Sequence, residues 1–305
     1  MSNKFLRFED GKISLNGQEL MVNSASLSIA PALDIERVYG DYDPEINGAR
    51  VQFVNFHPSS HIKGKLDISF YISAETISVN NVNRLFELAE IGSGDRSKKR
   101  MSEMPLNNNI VGRYTFDNLY LNNFSFQLTP FSLIRANASY DIYGTIKKIP
   151  DSYFNRVDAN FAHSLKSFGD IKISNEASSD EFEMTSLSYS INVERKINSR
   201  IRANEHTAIV NSTQGALPFR VSCEKIESTV DVESNEMPEN INEYGDSSYF
   251  YSANQADSSA NIFLYSLSGD RIYRFQCSGK IMNQSLDISE GQHAKSKIVI
   301  KEVIK

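Results

Sequence analysis

Residues 186–194, Ser-Leu-Ser-Tyr-Ser-Ile-Asn-Val-Glu, decide the fold because polar and apolar side chains alternate there without a break. Successive side chains of a β-strand point to opposite faces of its sheet, so this period of two predicts a strand with one buried face. The buried set is predicted to be Leu187, Tyr189, Ile191 and Val193. The opposite set is Ser188, Ser190, Asn192 and Glu194. A one-residue shift would expose the whole apolar set, so the pairing of this strand is well specified.

The same alternation recurs in the first half of the chain and predicts three further half-buried strands. Their apolar positions are Leu66, Ile68, Phe70 and Ile72, then Phe124, Phe126 and Leu128, then Ala138, Tyr140, Ile142 and Ile146. We therefore predict a mainly β fold, a β-sandwich or half-barrel with one flanking helix per domain, in two tandem copies.

An internal repeat supports the two copies. Residues 8–14 recur at 168–174 with five of seven positions identical, and Ser26-Leu27-Ser28 recurs 160 positions later as Ser186-Leu187-Ser188. A Gly-x-Ile step near the end of each half, at Gly144 and Gly279, extends the comparison. Pro150 removes a backbone donor and suits the exit from a strand. The predicted division is domain 1 at 1–152, a connector at 153–164 and domain 2 at 165–305. Two unrelated β-domains of similar composition are the alternative.

One helix and one long loop are predicted between the strands of the first half. A helix is expected at 81–91, where apolar residues recur with helical spacing. These residues are Val82, Leu85, Phe86 and Ala89. A polar loop is expected from 93 to 109, with a basic run at Arg96, Lys98, Lys99 and Arg100. A solvated loop is the simpler interpretation of that run, and a contact surface is the other.

Composition narrows the classes of function. The 305 residues carry 32 basic and 38 acidic side chains, a net charge of −6, which argues against a protein that grips nucleic-acid phosphates. Cys223 and Cys277 lie in candidate strands, where they are expected as buried thiols and not as a disulfide. We find no signal-peptide pattern and no apolar run long enough for a membrane helix, and expect a soluble chain, intracellular at synthesis.

The sequence shows no recognisable chemical centre. His57 and His61 are separated by Pro58, which disrupts helical spacing, and have no third ligand nearby, so a metal site is not predicted. Asp41, Asp43 and Glu45 resemble the start of a calcium loop, but Ile46 occupies the position that requires glycine. An acidic turn is the preferred interpretation, with a weak cation site as the most that is allowed. No catalytic, cofactor-binding or metal-ligating residue is predicted, and an enzyme is not expected.

Several segments together resemble one protein family. They are an opening strand at 24–29, a central strand at 64–73, the helix at 81–91, a closing segment at 114–126 and a final strand at 137–144. The opening recurs at 184–195. In this order the segments resemble the tail tube proteins of long-tailed bacteriophages, and the resemblance covers most of the chain.

The resemblance implies a structural virion protein with no enzymatic activity and no cofactor. Tube domains of this family join their sheets edge to edge into six-fold rings, and the rings stack into a hollow tube for DNA. A chain with two such domains would need three copies for a pseudo-hexameric ring. Expected partners are further copies of the chain, other tail proteins (the terminator, the baseplate and a sheath if present) and genomic DNA that passes without specific binding. Assembly in the host cytoplasm, a place in the phage tail and no membrane contact follow.

The resemblance also suggests which face lines the bore. Polar residues such as Ser188, Ser190, Asn192 and Glu194 are expected there, because a non-basic wall would let DNA pass without retaining it. Alternatives are a baseplate hub, a tube protein of type VI secretion, a β-sandwich module that binds a cell surface, or an enzyme. The absence of Trp counts against a glycan-binding module.

Overall fold

The computed structural model describes residues 13–20, 22–29, 33–43, 48–58, 64–72, 95–129, 132, 134–149, 167–168, 185–199, 219–235, 258–266, 271–290 and 295–305. Within these ranges the chain is mainly β, with seventeen strands and one helix. The first half contains β1 (Ile13–Leu15), β2 (Gln18–Glu19), β3 (Val22–Ile29), β4 (Leu33–Asp43), β5 (Gly48–Pro58), β6 (Gly64–Tyr71), α1 (Asp95–Ser102), β7 (Asn109–Val111), β8 (Tyr114–Phe116), β9 (Leu119–Leu128), β10 (Arg135–Ile142) and β11 (Ile146–Lys148). The second half contains β12 (Ser167–Phe168), β13 (Ser186–Ser199), β14 (Phe219–Ser234), β15 (Ser258–Ser266), β16 (Arg271–Asp287) and β17 (Lys295–Ile304).

One ten-stranded sheet, the main sheet, runs through both halves of the chain. Its strand order is β12-β15-β16-β17-β14-β13-β9-β10-β6-β3, and every neighbouring pair is antiparallel. A five-stranded sheet, β11-β8-β7-β1-β2, accompanies the first half, and β4 and β5 pair with each other as a separate ribbon. The predicted mainly β fold is therefore confirmed, and the two halves share a sheet.

The core lies along one face of the main sheet, where the predicted alternation is confirmed except at Ile146. That residue was predicted to continue the strand of Ala138, Tyr140 and Ile142, but β10 ends at Ile142 and Ile146 lies half-buried on β11 of the five-stranded sheet. The apolar positions of β6, β9, β10 and β13 are buried, and they form one cluster with residues of β14, β16 and β17. An aromatic group ties the halves together: the ring of Phe126 lies 5.3 Å from that of Tyr189 and 4.8 Å from that of Phe275. Cys277 is buried in this cluster and Cys223 is half-buried in β14, and both thiols are free, as predicted.

A glycine marks the point where β16 changes neighbours. Residues 271–279 of β16 pair with β15, and residues 280–287 pair with β17. A Cβ atom at Gly279 would collide with the backbone carbonyl of Lys301. The crossing therefore requires a residue without a side chain.

The loop predicted at 93–109 is wrong, because residues 95–102 form helix α1. The apolar pattern missed it, since Met101 is the one apolar residue of the helix. Polar contacts hold the helix instead: Lys98 forms an ion pair with Glu302 of β17 at 3.1 Å. Lys99 and Arg100 lie in the last turn, where positive charge offsets the negative end of the helix dipole.

Two further expectations from the sequence need correction. Gly144 follows the end of β10, whereas Gly279 lies inside β16. In the sheet β10 lies between β9 and β6, while β16 lies between β15 and β17, so the two Gly-x-Ile steps are not equivalent. The closing segment at 114–126 forms two strands, β8 and β9, separated at Asp117 and Asn118 because Asn118 takes a positive φ of 56°.

Other predictions fall on residues that are not described. The helix at 81–91, the connector at 153–164 and most of the repeat at 168–174 lie outside the described residues. The division into domains at 152 and 165 stays a prediction. The main sheet and the core contain strands from both sides of that boundary.

Replacing Phe126 with Ala should destabilise both halves together, because its ring contacts aromatic residues of the second half. Removing a buried Phe side chain costs about 3–5 kcal/mol of unfolding free energy. Urea unfolding followed by circular dichroism and by tyrosine fluorescence should show one transition at lower urea. The exposed Tyr114→Ala is the control, expected within about 0.5 kcal/mol of wild type. Two separate transitions, with only one shifted, would contradict a shared core.

Candidate self-assembly interface

The main sheet contains the same four-stranded arrangement twice. Module 1 is β3-β6-β10-β9 and module 2 is β13-β14-β17-β16, written in spatial order. When the strands of each module are numbered by their order in the chain, their order in the sheet is first, second, fourth, third. All these pairings are antiparallel. The modules can therefore be compared strand by strand.

A β-bulge occurs at the same place in each module. Asn122 has no partner on β10, because Leu121 pairs with Tyr140 and Asn123 pairs with Ser139. Met282 likewise has no partner on β17, because Ile281 pairs with Ile300 and Asn283 with Val299. Asn122 and Met282 lie 160 positions apart, and so do Tyr140 and Ile300. The third and fourth strands therefore correspond at an offset of 160 residues, which is also the offset of the sequence repeat.

The first strand corresponds at a different offset. Asp67 of β6 pairs with Ser139 of β10, and Asp231 of β14 pairs with Val299 of β17. Ser139 and Val299 correspond at the offset of 160 residues, so the two aspartates are equivalent as well. Ser26 lies opposite Asp67 and Ser188 lies opposite Asp231. Ser26 thus corresponds to Ser188 at an offset of 162, which corrects the predicted match with Ser186 by two residues. In this register residues 24–29 match residues 186–191 at four of six positions, three Ser and one Ile.

The two modules are joined edge to edge by one strand pair, which we call the joint. The third strand of module 1, β9, pairs with the first strand of module 2, β13. The joint runs over six residue pairs, from Leu128 opposite Leu187 to Asn123 opposite Asn192. Among the described strands, the first strand of module 1 (β3) and residues 281–287 of the third strand of module 2 (β16) pair on one side only. These two edges are the counterparts of the two strands that form the joint.

Equivalent residues are buried at the joint and exposed at the free edges. On β9, Phe126 is 2% exposed and Leu128 is 5% exposed. Their counterparts, Leu286 on β16 and Ile288 directly after it, are 41% and 74% exposed. On the other strand of the joint, Ile191 is fully buried, while its counterpart Ile29 on β3 is 45% exposed. The free edges therefore carry the apolar side chains of a joint without the strand that would cover them.

Contacts beyond the sheet also lock module 2 to the first half. The Nε of Arg195 donates to the carbonyl oxygen of Ser102 at 3.0 Å, and its Nη1 donates to Oδ1 of Asn122 at 3.1 Å. The guanidinium lies 5.5 Å from the ring centre of Tyr120. The backbone N–H of Cys223 donates to Glu103 at 2.9 Å. Helix α1 and the turn after it are thereby held against β13 and β14.

A small aromatic cluster completes this lock. Tyr120 and Tyr143 pack edge to face and contact Phe219 and Val221 at the far end of β14. Burial, together with a smaller contribution from the neighbouring Asp141 carboxylate, raises the pKa of Tyr143 to about 12. Burial also lowers the pKa of the Arg195 guanidinium. These groups contact one another across the two halves, so their role is to hold the halves together.

The face of the main sheet opposite the core, the polar face, bears the residues predicted to line a bore. Ser188, Asn192 and Glu194 are exposed there and Ser190 is half-buried. Register places a row of hydroxyl and amide residues across this face: Ser24, Ser69, Asn137, Ser125, Ser190 and Thr229. In module 2 three lysines of this face contact carboxylates. Lys225 and Lys301 both contact Glu227, and Lys297 contacts Asp231 at 2.7 Å.

Three of the five residues considered for a cation or metal site lie in described strands. Asp41 and Asp43 lie at the end of β4 and His57 lies near the end of β5, while Glu45 and His61 lie outside the described residues. Among the described residues, no group of three His, Cys, Asp or Glu side chains could hold a metal ion. In that part of the chain, no helix has the length and apolar character needed to cross a membrane.

Comparison with known proteins adds no relative: no protein-family model matches this chain, and a search of curated proteins finds no match. The strand order of this chain and the exposure of its side chains are therefore the evidence for the interface.

Replacing Lys98 with Ala should destabilise the protein more than replacing its neighbour Lys99. Lys98 is 5% exposed and its partner Glu302 would remain poorly solvated without a counter-charge. Removing one member of a buried ion pair costs about 3–5 kcal/mol. The half-exposed Lys99→Ala on the same helix should change the unfolding free energy by less than about 0.5 kcal/mol. Adding Glu302→Gln to Lys98→Ala should recover part of the loss. Equal losses for Lys98→Ala and Lys99→Ala in urea unfolding would show that the pair is not important.

Stability should fall at alkaline pH, in part through Tyr143. The folded pKa is about 12 and the ordinary value is 10, so the folded state favours the neutral phenol. This contribution is complete below pH 10 and is lost as the pH rises from 10 through 12. Tyr143→Phe removes the titrating group, so its urea midpoint should drop less between pH 9 and pH 11 than that of wild type. Parallel pH profiles would exclude a role for Tyr143.

Proposed function

We propose that this chain is a structural protein that assembles through its sheet edges into rings, which stack into a hollow tube. The observation that carries the proposal is the joint between two equivalent modules inside one chain. Two free edges of the main sheet, β3 and residues 281–287 of β16, belong to the strands that correspond to β13 and β9 of the joint. A second copy can therefore continue the sheet by repeating a contact that the chain already makes.

Such a contact is head-to-tail, since β3 of one copy would meet β16 of another. Head-to-tail contacts close into a ring when the rotation between copies permits it, and otherwise continue as a filament. Ring closure would pair β3 and residues 281–287 of β16, which removes the exposed backbone groups that make these two sheet edges prone to aggregation. Three copies contribute six modules, which is the number implied by the resemblance to tail tube proteins.

The polar face suits the wall of a bore through which DNA passes. Hydroxyl and amide side chains dominate its module 1 part, and ion pairs neutralise Lys225, Lys297 and Lys301 in module 2. Affinity for DNA depends on cations that are free to replace the counterions of phosphate groups. A wall on which these three lysines are already paired with carboxylates would retain DNA more weakly than one that presents them free, and would favour rapid movement.

In this proposal the protein is the tail tube of a bacteriophage, assembled in the host cytoplasm and placed in the virion tail. Its partners are further copies of itself, the neighbouring tail proteins (terminator, baseplate and a sheath if present) and genomic DNA in transit. No chemical step is assigned to it. The proposal rests on the joint and on the polar face, together with the resemblance stated above.

Negative-stain microscopy and light scattering after size-exclusion chromatography test the proposal. Wild-type protein should give rings or stacked rings with a central hole, in multiples of three chains. Ile288→Lys should remain folded and monomeric, because it places a charge on the exposed edge. The control Met104→Lys changes another exposed apolar residue, 44% exposed against 74% for Ile288, that lies away from both edges and should still give rings. A wild-type chain that stays monomeric at every concentration would contradict the proposal, and so would rings from Ile288→Lys.

A further inference from the structure

We infer the register of the contact between copies: β3 of one copy pairs antiparallel with β16 of another, with Leu27 opposite Leu286. This inference rests on the proposed function in one respect, that the strand which covers each free edge belongs to a second copy of this chain. The register itself comes from the joint, which supplies a template within the same molecule.

The residue pairing of the joint is transferred to the free edges by replacing each strand of the joint with its equivalent strand. Residues of β13 correspond to residues of β3 at an offset of 162, and residues of β9 correspond to residues of β16 at an offset of 160. The joint pairs Leu187 with Leu128, Ser188 with Gln127, Tyr189 with Phe126 and Ser190 with Ser125. Transferred to the free edges, these become Ala25 with Ile288, Ser26 with Asp287, Leu27 with Leu286 and Ser28 with Ser285.

The chemistry of the transferred pairs agrees with their positions. In these four pairs the apolar residues meet on the core face, where Ala25 and Leu27 already pack against the core as half-buried residues. The fifth pair of the joint, Ile191 with Phe124, transfers to Ile29 with Gln284. Polar residues meet on the polar face, and no two like charges lie opposite each other. Opposed side chains of antiparallel strands are about 4.5–5.5 Å apart at Cβ, so Leu27 would cover the exposed Leu286 directly.

The polar and apolar alternation alone does not select this register. A shift of one residue would place apolar side chains opposite polar ones and is excluded by the pattern. A shift of two residues, with Leu27 opposite Ile288, keeps the alternation and corresponds to the 160-residue match of the sequence repeat. The position of Ser26 opposite Asp67, matched by Ser188 opposite Asp231, selects the 162-residue equivalence.

A second patch of exposure belongs to the same contact. Met282 is 62% exposed and Val303 is 44% exposed. At an offset of 160 they correspond to Asn122 and Tyr143. The far ends of β13 and β14 cover these two residues, through Arg195 and Phe219 respectively. In module 1 the β4–β5 ribbon follows β3 and precedes β6 in the chain. In module 2 the far ends of β13 and β14 take the corresponding place in the chain, because they connect the parts of β13 and β14 that belong to the four-stranded arrangement. The copy that supplies β3 would therefore bring its β4–β5 ribbon to Met282 and Val303.

Engineered cysteines test the register with four positions in two combinations. The matched pairs are Ser26→Cys with Asp287→Cys, and Ser28→Cys with Ser285→Cys. The mismatched pairs recombine the same substitutions: Ser28→Cys with Asp287→Cys, which tests the two-residue shift, and Ser26→Cys with Ser285→Cys, which tests the opposite shift. All are made in a Cys223→Ser background. Cys277 is left in place because it is buried, with its pKa raised to about 12.

Rings are first verified by microscopy, oxidised with copper phenanthroline and separated on a non-reducing gel. Matched pairs should form about tenfold more covalent dimer and trimer than mismatched pairs, since a disulfide needs Cβ atoms roughly 3.5–4.5 Å apart and diagonal neighbours are farther apart. Cross-linking chiefly in a mismatched pair would overturn the register and leave the ring standing. Rings without cross-links in any pair would overturn the use of these edges. A Cys223→Ser parent without rings would overturn the proposed function itself.

Discussion

Unpaired backbone groups at a sheet edge are the constraint on which this structure depends. Each edge of an antiparallel sheet presents N–H and carbonyl groups that need partners, and proteins cover, charge or pair such edges. In this chain the joint between β9 and β13 satisfies two module edges at once. The same solution, applied between copies, would satisfy β3 and residues 281–287 of β16, the two edges that correspond to the strands of the joint.

The modules share a strand order and a bulge position, but they differ where they meet their surroundings. At the joint, Phe126 and Leu128 are covered by β13, and Arg195 bridges helix α1 and Asn122. At the far edge, Leu286, Ile288 and Met282 occupy the equivalent positions and are exposed. Burial of these side chains would stabilise a contact by about 25 cal/mol per Å² of apolar surface removed from water. The exposed edge is thus the place where assembly gains most.

Strands were predictable where one face is buried, since a period of two in residues such as 187, 189, 191 and 193 reports burial directly. Helix α1 was not, because contacts of Lys98, Ser102 and Glu103 with distant residues hold it, and local sequence does not reveal contacts between residues about 100–200 positions apart. The joint was also missed: the sequence indicated two copies but not which strands meet. The two-residue error at Ser26 arose because a Ser-rich alternating strand matches itself at every second position.

The measurement that tests the central claim most directly is hydrogen exchange of the backbone amides in β3 and in residues 281–287, followed as a function of protein concentration. Alternate amides of these segments already donate to β6 or β17, so the amides to follow are those that point away from these neighbours. If sister molecules complete the sheet, the outward-pointing amides should exchange quickly in the dilute monomer and become as slow as those of β9 and β13 on assembly. Exchange that remains fast in assembled particles, or is already slow in the monomer, would contradict the account.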